Sequence, residues 1–347
     1  METAGLLKDC WYVAAWSHDV QAAPFSRTIA GIPLVFWRDG NGRAVALEDR
    51  CCHRAAALSQ GRCEGGHLRC MYHGLKFDSA GVCVEIPGQD KVPNAARVRA
   101  FPLVERDTWL WIWMGDATLA DESQIPDLLW LRRADWPYLP GYFHYKAAAE
   151  LLSDNLLDFS HLSFVHQDSF GGGTDAIAST PAKVLGLPNG VRVERTVRDV
   201  PPSPNSKRFA SFPGNVNRWF NYDYLIPGVL VLEAGMESAD ATNSDQPLRQ
   251  FSCQAVTPES THSAHYFFML TRDFSKGDAG IDERMFEGGV IAFEEDRRMI
   301  ESQQARLLAF PDHEPIAIAA DSALIRFRRL VKRRADAESK QSQATPR

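Results

Sequence analysis

Two histidines and two aspartates share one short apolar run, Asp154-Asn-Leu-Leu-Asp-Phe-Ser-His-Leu-Ser-Phe-Val-His166. Apolar neighbours imply burial, and a buried imidazole or carboxylate is costly unless it is hydrogen-bonded, paired or bound to a metal. Asp158 and His161 are three apart and share a face if the run is helical, with Asn155 one turn earlier on the same stripe. His166 lies five beyond His161, off that stripe, so both imidazoles can meet one ion only if the helix breaks or bulges between them. Ser160 and Ser163 offer local side-chain bonds for such a break. Two histidines and a distant carboxylate are what a mononuclear iron(II) site with open positions needs. Two histidines satisfied by core hydrogen bonds would fit this segment equally well.

A second ligand-type group precedes it: Cys51-Cys-His53, sixteen residues, then Cys70-Met-Tyr-His73. Each short loop supplies one thiol and one imidazole and is followed by a turn element, Arg54 or Gly74. Four such ligands suit a structural tetrahedral zinc. They equally suit a [2Fe-2S] centre in which two histidines replace two cysteines on one iron. Cys52 is then a spare thiol, and Cys63 and Cys83, with no partner histidine, are packing residues.

A carboxylate for the iron can be sought along Glu294-Glu295-Asp296, three consecutive residues that point about 100° apart on a helix. Glu294 has Arg297 and Arg298 within reach, and Glu295 has Arg298, so both read as solvated ion-pair positions. Asp296 has Ala292, Phe293, Met299 and Ile300 at three and four in both directions. It falls within a buried stripe, where an aspartate needs a cation or, failing that, backbone or arginine hydrogen bonds.

The 347 residues, 45% hydrophobic and 24% charged, suit a globular chain of two domains. A net charge of −6 with a pI near 5.9 argues against nucleic acid as a partner. The sequence has no apolar run of membrane-spanning length and no signal-peptide pattern, so the expectation is a cytoplasmic protein. Seven cysteines, an odd number in a long chain, favour metal ligation over a disulfide framework.

The elements that must hold these residues fall into two groups. Residues 1–116 are expected to form a small antiparallel β domain. Its signals include Ile32 to Arg38 and Ala44 to Glu48 around an Asp39-Gly-Asn-Gly42 hairpin turn, and a strand with three tryptophans, Trp109-Leu-Trp-Ile-Trp113, that needs cover on both faces. Asp116 to Pro126 reads as a connector. Residues 117–335 are expected to carry strands at Val191–Val200, Tyr222–Leu232, Gln250–Val256 and Ala264–Thr271, a long helix over about Asp282–Leu308 and a second helix over Ser322–Arg334. From residue 336 to 347 a polar tail is expected to be disordered. The class is α+β, an antiparallel sheet covered by helices in a helix-grip-like arrangement. Asn155, Phe159, Trp219, Tyr222, Gln254, His265 and Phe267 are pocket candidates, because they lie on the segments flanking the ligands.

Cys51-x-His53 with Cys70-x-x-His73 resembles the motif of Rieske proteins. Coupled to Asn155-x-x-Asp158-x-x-His161-x4-His166, it resembles the oxygenase component of Rieske non-haem iron oxygenases. Further stretches, Cys10-Trp-Tyr-Val-Ala-Ala-Trp16, Tyr72-His-Gly-Leu-Lys-Phe77, Glu85-Ile-Pro-Gly88, Thr257-Pro-Glu259 and His265-Tyr-Phe-Phe268, extend the likeness over most of the chain. They resemble the subgroup with vanillate O-demethylase and toluenesulfonate methyl-monooxygenase oxygenase subunits.

The resemblance implies a [2Fe-2S] Rieske cluster on Cys51, His53, Cys70 and His73 and a mononuclear non-haem Fe(II) on His161, His166 and Asp296. It implies an O2-dependent monooxygenase acting on a methoxy or methyl carbon of a small aromatic, with one oxygen atom entering the substrate and the other leaving as water. Asp158, beside His161, is expected to hold the imidazole N–H that faces away from iron, and to bridge to His73 of the partner subunit in a ring-shaped homotrimer. Asn155 shares its stripe as a second catalytic candidate. With no Gly-rich dinucleotide fingerprint after a strand, electrons are expected from a separate NAD(P)H-dependent reductase, directly or through a ferredoxin. Ring hydroxylation of an aromatic acid, and more remotely a non-enzymatic zinc-containing ligand-binding module, are the other readings.

Overall fold

The computed structural model describes residues 6–240 and 246–344. The chain divides into two compact units, one reaching to Pro126 and including Thr257–Thr261, the other made of Asp127–Val256 and the residues from His262 onward.

The first unit is built from short antiparallel strands: β1 (Trp11–Trp16), β2 (Phe25–Ile29), β3 (Ile32–Arg38), β4 (Ala44–Glu48), β5 (Arg62–Glu64), β6 (His67–Arg69), β7 (Lys76–Phe77), β8 (Cys83–Glu85), β9 (Leu103–Arg106) and β10 (Trp109–Trp113). They form three sheets, β1-β10-β9, β2-β3-β4 and β5-β6-β7-β8. The expected hairpin has the expected ends, and the Asp39 carboxylate fixes its turn by accepting from the Asn41 and Arg43 amides at 2.8 and 2.9 Å. All five residues of β10 are buried. Trp109 packs on Trp16 and Trp111, and Trp113 packs on Trp11, with ring centroids 5.4 to 5.5 Å apart. Such contacts add about 0.5–1.5 kcal/mol per pair beyond the area buried. A core of Val35, Trp37, Leu47, Leu58, Leu68 and Phe77 carries Cys51 and Cys70 at its edge, with Cys63 and Cys83 as packing groups.

The second unit contains β11 (Leu139–Tyr145), α1 (Ala149–Leu157), α2 (Ala176–Ser179), β12 (Lys183–Leu187), β13 (Gly190–Val200), β14 (Val216–Leu225), β15 (Val229–Ser238), β16 (Leu248–Ser260), β17 (Ser263–Arg272), α3 (Ala279–Ala309) and α4 (Ser322–Ala344). Its strands form one antiparallel sheet in the order β11-β17-β16-β15-β14-β13-β12. The run Tyr222–Leu232, expected as one strand, is two: β14 ends at Leu225 and β15 starts at Val229, paired with it at Leu225↔Val229. Pro227 and Gly228, too few to interrupt the apolar pattern, form the tight turn between them. The last helix extends to Ala344 instead of ending near Arg334. Its polar composition hides this, because Lys, Arg, Glu, Gln and Ala are all good helix formers without an apolar stripe.

Three helices cover one sheet face. Tyr222 Oη donates to the Leu157 carbonyl at the end of α1, Tyr224 meets Phe327 of α4, and Phe268 meets Phe293 of α3. Helix α3 presents Ile281, Met285, Gly288, Gly289, Ala292, Asp296, Ile300 and Gln304 as its buried stripe. Asp296 is therefore within the stripe that the sequence pattern indicated.

Candidate functional site

Helix α1 stops at Asp158, whose backbone is extended (φ −129°, ψ 95°). A tight turn over Phe159–Ser163 follows, capped by the Asp158 carboxylate, which accepts from the Ser160 amide at 2.8 Å and the Ser160 hydroxyl at 2.7 Å. Beyond His166 the chain widens into a π turn, with the Gly171 amide donating to the His166 carbonyl at 2.7 Å. Such single π turns cluster at functional sites. The required break between the two histidines comes where the tight turn ends at Ser163, and it is flanked by the break at Asp158 and the π turn after His166. Ser160 serves the break at Asp158 locally, whereas Ser163 accepts from the Ala178 amide at 3.2 Å.

These breaks bring His161 and His166 to Asp296. One ligand atom from each lies within 4.8 Å of the others. The Nε2 atoms of His166 and His161 are 3.2 and 3.5 Å from Asp296 Oδ1. Each Nδ1 faces away, toward the Asp158 carbonyl for His161 and toward Glu295 Oε2 at 2.7 Å for His166. A donor set with both Nδ1 atoms engaged and both Nε2 atoms aimed at one carboxylate is the arrangement of a histidine-carboxylate metal site with its outer partners in place. Asn155 Nδ2 donates to Asp296 Oδ1 at 2.9 Å.

The electrostatics agree with shared charge. Burial by itself would raise Asp296, but the bond from His166 and the nearby imidazoles outweigh it and hold the carboxyl below its ordinary value. Burial lowers His161, with only partial compensation from Asp296. For His166 burial is overcome by Asp296 and Glu295, and the imidazole is raised.

Two expectations need correction. Asp158 reaches His161 through its backbone carbonyl; its carboxylate is engaged by Ser160 and stands 3.9 Å from Arg195 Nη2. With α1 ended at Asp158, that carbonyl lies against the His161 imidazole and takes the role expected of the side chain. Glu295 is not a solvated partner of Arg298: it binds His166 and also accepts from the Ser169 hydroxyl at 2.8 Å. Glu294 alone takes the arginines, Arg297 at 2.8 Å and Arg298 at 3.4 Å.

A cavity of about 130 Å³ adjoins this site and is bordered by Asn155, His161, His166 and Asp296. Of the pocket candidates, Asn155, Phe159 and Gln254 line it. Tyr222 sits behind, stacked on Phe159 at 4.6 Å. Trp219 is one position out of phase with the buried alternation of β14 and packs against Gly235. His265 and Phe267 contact Tyr142 of β11.

In the first unit the two ligand loops are near copies. The Cys51 amide donates to the Ala56 carbonyl and the Ala55 amide to the Cys51 carbonyl; Cys70, Leu75 and Gly74 repeat both bonds, all at 2.8 to 2.9 Å. The left-handed position is the fourth after each cysteine, Ala55 (φ 54°) and Gly74 (φ 77°), so the first turn pivots at Ala55 and not at Arg54. Cys51 and Cys70 are buried and Cys52 is exposed. His53 and His73 are exposed, with ring centroids 4.5 Å apart. Burial pushes the Cys51 thiol up to about 12, so a thiolate there needs a cation beside it.

Ligands of one tetrahedral zinc would lie within about 4 Å of one another, given metal-ligand bonds of about 2.0–2.3 Å. Among the described residues, the group that brings three or more such atoms within 4.8 Å is His161, His166 and Asp296; the four cysteine and histidine ligands do not converge so closely. That wider spacing fits a two-iron cluster with sulfides between the protein ligands.

A β unit with paired Cys-His loops and a helix-covered sheet with a two-histidine, one-aspartate site define the class: a Rieske-type, non-haem iron oxygenase. The sequence profile of the Rieske [2Fe-2S] domain matches residues 10–102, and that of the vanillate O-demethylase oxygenase C-terminal domain matches residues 145–337. The chain is 40% identical over 343 residues to the iron-sulfur subunit of the toluene-4-sulfonate monooxygenase system of Comamonas testosteroni, covering 96% of this chain and 98% of that protein. It is 32% identical over 342 residues to the oxygenase component of dicamba O-demethylase of Stenotrophomonas maltophilia, covering 94% and 97%. A crystal structure of dicamba monooxygenase bound to 3,6-dichlorosalicylic acid superposes with a TM-score of 0.90 at 31% identity, over 97% of this chain and 99% of that one.

The chain belongs to the Rieske non-haem iron oxygenase family, in the branch with the vanillate O-demethylase type of catalytic domain. It is the oxygenase component of a monooxygenase, an oxidoreductase whose cofactors are a [2Fe-2S] cluster and a mononuclear iron.

Proposed function

We propose that this chain hydroxylates a methoxy or methyl carbon of a small aromatic, releasing formaldehyde when the carbon is a methoxy group, with electrons from a separate NAD(P)H-dependent reductase. The observation that carries this reading is the meeting of His161, His166 and Asp296 at the edge of a cavity lined by phenylalanines, together with relatives named for toluene-4-sulfonate and dicamba. We assign the cluster to Cys51, His53, Cys70 and His73 within a domain of residues 1–116, and the iron to His161, His166 and Asp296 within residues 117–335. When bound, these groups supply one-electron transfer and the reductive activation of dioxygen.

The chain's own side chains do the rest. The Asp158 carbonyl and the Glu295 carboxylate each hold one Nδ1, which fixes both imidazole planes with Nε2 toward Asp296. Asn155 donates to the Asp296 oxygen that faces both Nε2 atoms and so sets how the carboxylate is presented. Phe159, Phe220 and Phe293 border the cavity, hold an aromatic ring and keep water from the reacting carbon.

His53 and His73 stand exposed, ready to meet a partner. We assign that partner to a neighbouring copy in a homotrimer, with the Asp158 region receiving it. Among the described residues no helix is long and apolar enough to cross a membrane, and we place the protein in the cytoplasm.

The test is a panel of methoxylated, methylated and sulfonated arenes offered to the loaded protein with a surrogate reductase, scoring substrate-coupled oxygen uptake and formaldehyde. Methoxyarenes should release formaldehyde, and methylarenes should give a benzylic alcohol without it. Coupled uptake with ring-hydroxylated products alone, or with no arene at all, would refute the proposal.

A further inference from the structure

The cavity contains a cation that the protein does not neutralise. Arg218 lies on β14, in phase with Phe220, Tyr222 and Tyr224, so its side chain joins the helix-covered face and is only 3% exposed. Its Nη1 and Nη2 donate to the Gly171 and Phe170 carbonyls at 2.9 and 2.7 Å. A guanidinium carries five N–H donors, and among the described residues Arg218 makes no ion pair and no hydrogen bond beyond these two. Burial with no nearby carboxylate lowers it to about 10, so it stays charged at neutral pH. Burying an unpaired charge is costly, and proteins rarely tolerate it without a purpose.

A second polar group in the same cavity is also unspent. Asn205 is 4% exposed and lines the cavity, yet its Oδ1 is buried without a hydrogen-bond partner. The other end of its amide makes no hydrogen bond to a described residue. Gly288 of α3 makes the room: a Cβ there would fall 2.0 Å from Asn205 Oδ1. Several other cavity polar groups are engaged. Gln254 bonds Ser252 and Tyr266, Ser206 bonds the Ser203 carbonyl, and Asn155 bonds Asp296. Phe220 lies against the guanidinium, its ring centroid 5.2 Å from Arg218 Cζ.

Building on the proposed function, we infer that Arg218, assisted by Asn205, is the anion-recognising and specificity-determining group of the cavity, and that the substrate is an arene carrying a carboxylate or sulfonate. The substrate anion supplies the counter-charge that the protein omits, the Asn205 amide supplies a further hydrogen bond, and the ring lies along Phe220. A neutral arene of the same size leaves the guanidinium unpaired in a dry site and is rejected for that reason.

The test measures equilibrium binding by calorimetry to the cluster- and iron-loaded protein, independent of turnover. The probes are 4-toluenesulfonate and 4-methoxybenzoate, against the neutral 4-tolyl methyl sulfone and methyl 4-methoxybenzoate. The unaltered protein should favour the anions by about 10- to 100-fold, the range of a charge-assisted hydrogen bond. The tighter of the two anions names the headgroup. Arg218→Gln should erase that preference from both sides, weakening the anions and relieving the penalty on the neutral arenes, with iron content within about two-fold, and Arg218→Lys should keep most of it. Asn205→Asp, which puts a carboxylate into the cavity, should reverse the preference.

An unaltered protein that binds neutral and anionic arenes equally overturns the inference without recourse to any variant. So does an Arg218→Gln protein that loses both ligand types and iron together, since Arg218 would then only clamp the turn after His166. Turnover of neutral arenes with coupled oxygen uptake would sink this inference and leave the oxygenase reading standing. Tight anion binding without coupled turnover of any arene would do the reverse.

Discussion

Replacing Glu295 by Gln separates a carboxylate that holds the iron site from one that merely decorates the same helix. Glu295 Oε2 is 2.7 Å from His166 Nδ1 and 2.8 Å from Ser169 Oγ. Gln keeps the size and can still present a carbonyl oxygen to His166, so packing is preserved and only the charge is lost. A hydrogen bond to a charged group contributes about 1.5–3 kcal/mol and a neutral one about 1 kcal/mol. The loss is therefore about 0.5–2 kcal/mol, or roughly 2- to 30-fold in iron affinity, overlapping the 10- to 100-fold known for outer partners of metal-bound histidines. Glu294→Gln is the matched control, one residue away and, among the described residues, bound only to Arg297 and Arg298. Partly exposed pairs of that kind contribute about 0–1 kcal/mol to stability and do not touch the metal ligands. Titrating iron against a calibrated chelator should weaken Glu295→Gln by about ten-fold and leave Glu294→Gln within two-fold. Equal behaviour of the two variants would refute the role given to Glu295.

Two further predictions concern electron delivery and acid stability. Asp158→Asn retains a capping side chain for the turn after α1 and leaves the carbonyl that holds His161, so cluster and iron should both load. Reoxidation of the reduced cluster upon mixing with substrate and oxygen should nevertheless slow by orders of magnitude in stopped flow, and an unchanged rate would defeat the assignment. In the first unit Glu64 is held at about 2 by Arg69 and then Arg62, and Glu85 is lowered by Lys76 and then Arg69. These folded-state values lie below the ordinary carboxylate range, so their stabilisation is fully present above about pH 4.5 and is lost as pH falls toward 2. The stability difference between the parent and Glu64→Gln, followed by tryptophan fluorescence in denaturant, should shrink through that window; a constant difference would count against it.

The ligands were legible because each carries its own signal. Asp296 stands in an apolar stripe at three and four residues in both directions, and each Cys-His loop sets a thiol two or three residues before an imidazole. The partners were less legible. Glu295 is 129 residues from His166 in the chain, and Arg298, three residues away, was the nearer explanation. The Asp158 carbonyl is main chain and leaves no trace in residue type; only the end of α1 exposes it. Ala55 was hidden because alanine does not advertise a left-handed backbone as Gly74 does. Trp219 falls outside the cavity; a two-residue period gives the face of a strand only once its phase is known.

That phase also puts Arg218 on the helix-covered face. In β14 the residues Val216, Arg218, Phe220, Tyr222 and Tyr224 alternate inward. An arginine between phenylalanine and valine on such a stripe would ordinarily be matched by a carboxylate from a facing helix. Helix α3 supplies three consecutive carboxylates to this region, yet Glu294 turns to arginines at the surface, Glu295 to His166, and Asp296 to both imidazoles. All three are committed to other groups, and none pairs with Arg218. The same division that lets Asp296 and Glu295 build a metal site therefore leaves a positive charge in the adjoining cavity, so that binding of a cation and selection of an anion follow from one allocation of charge along α3.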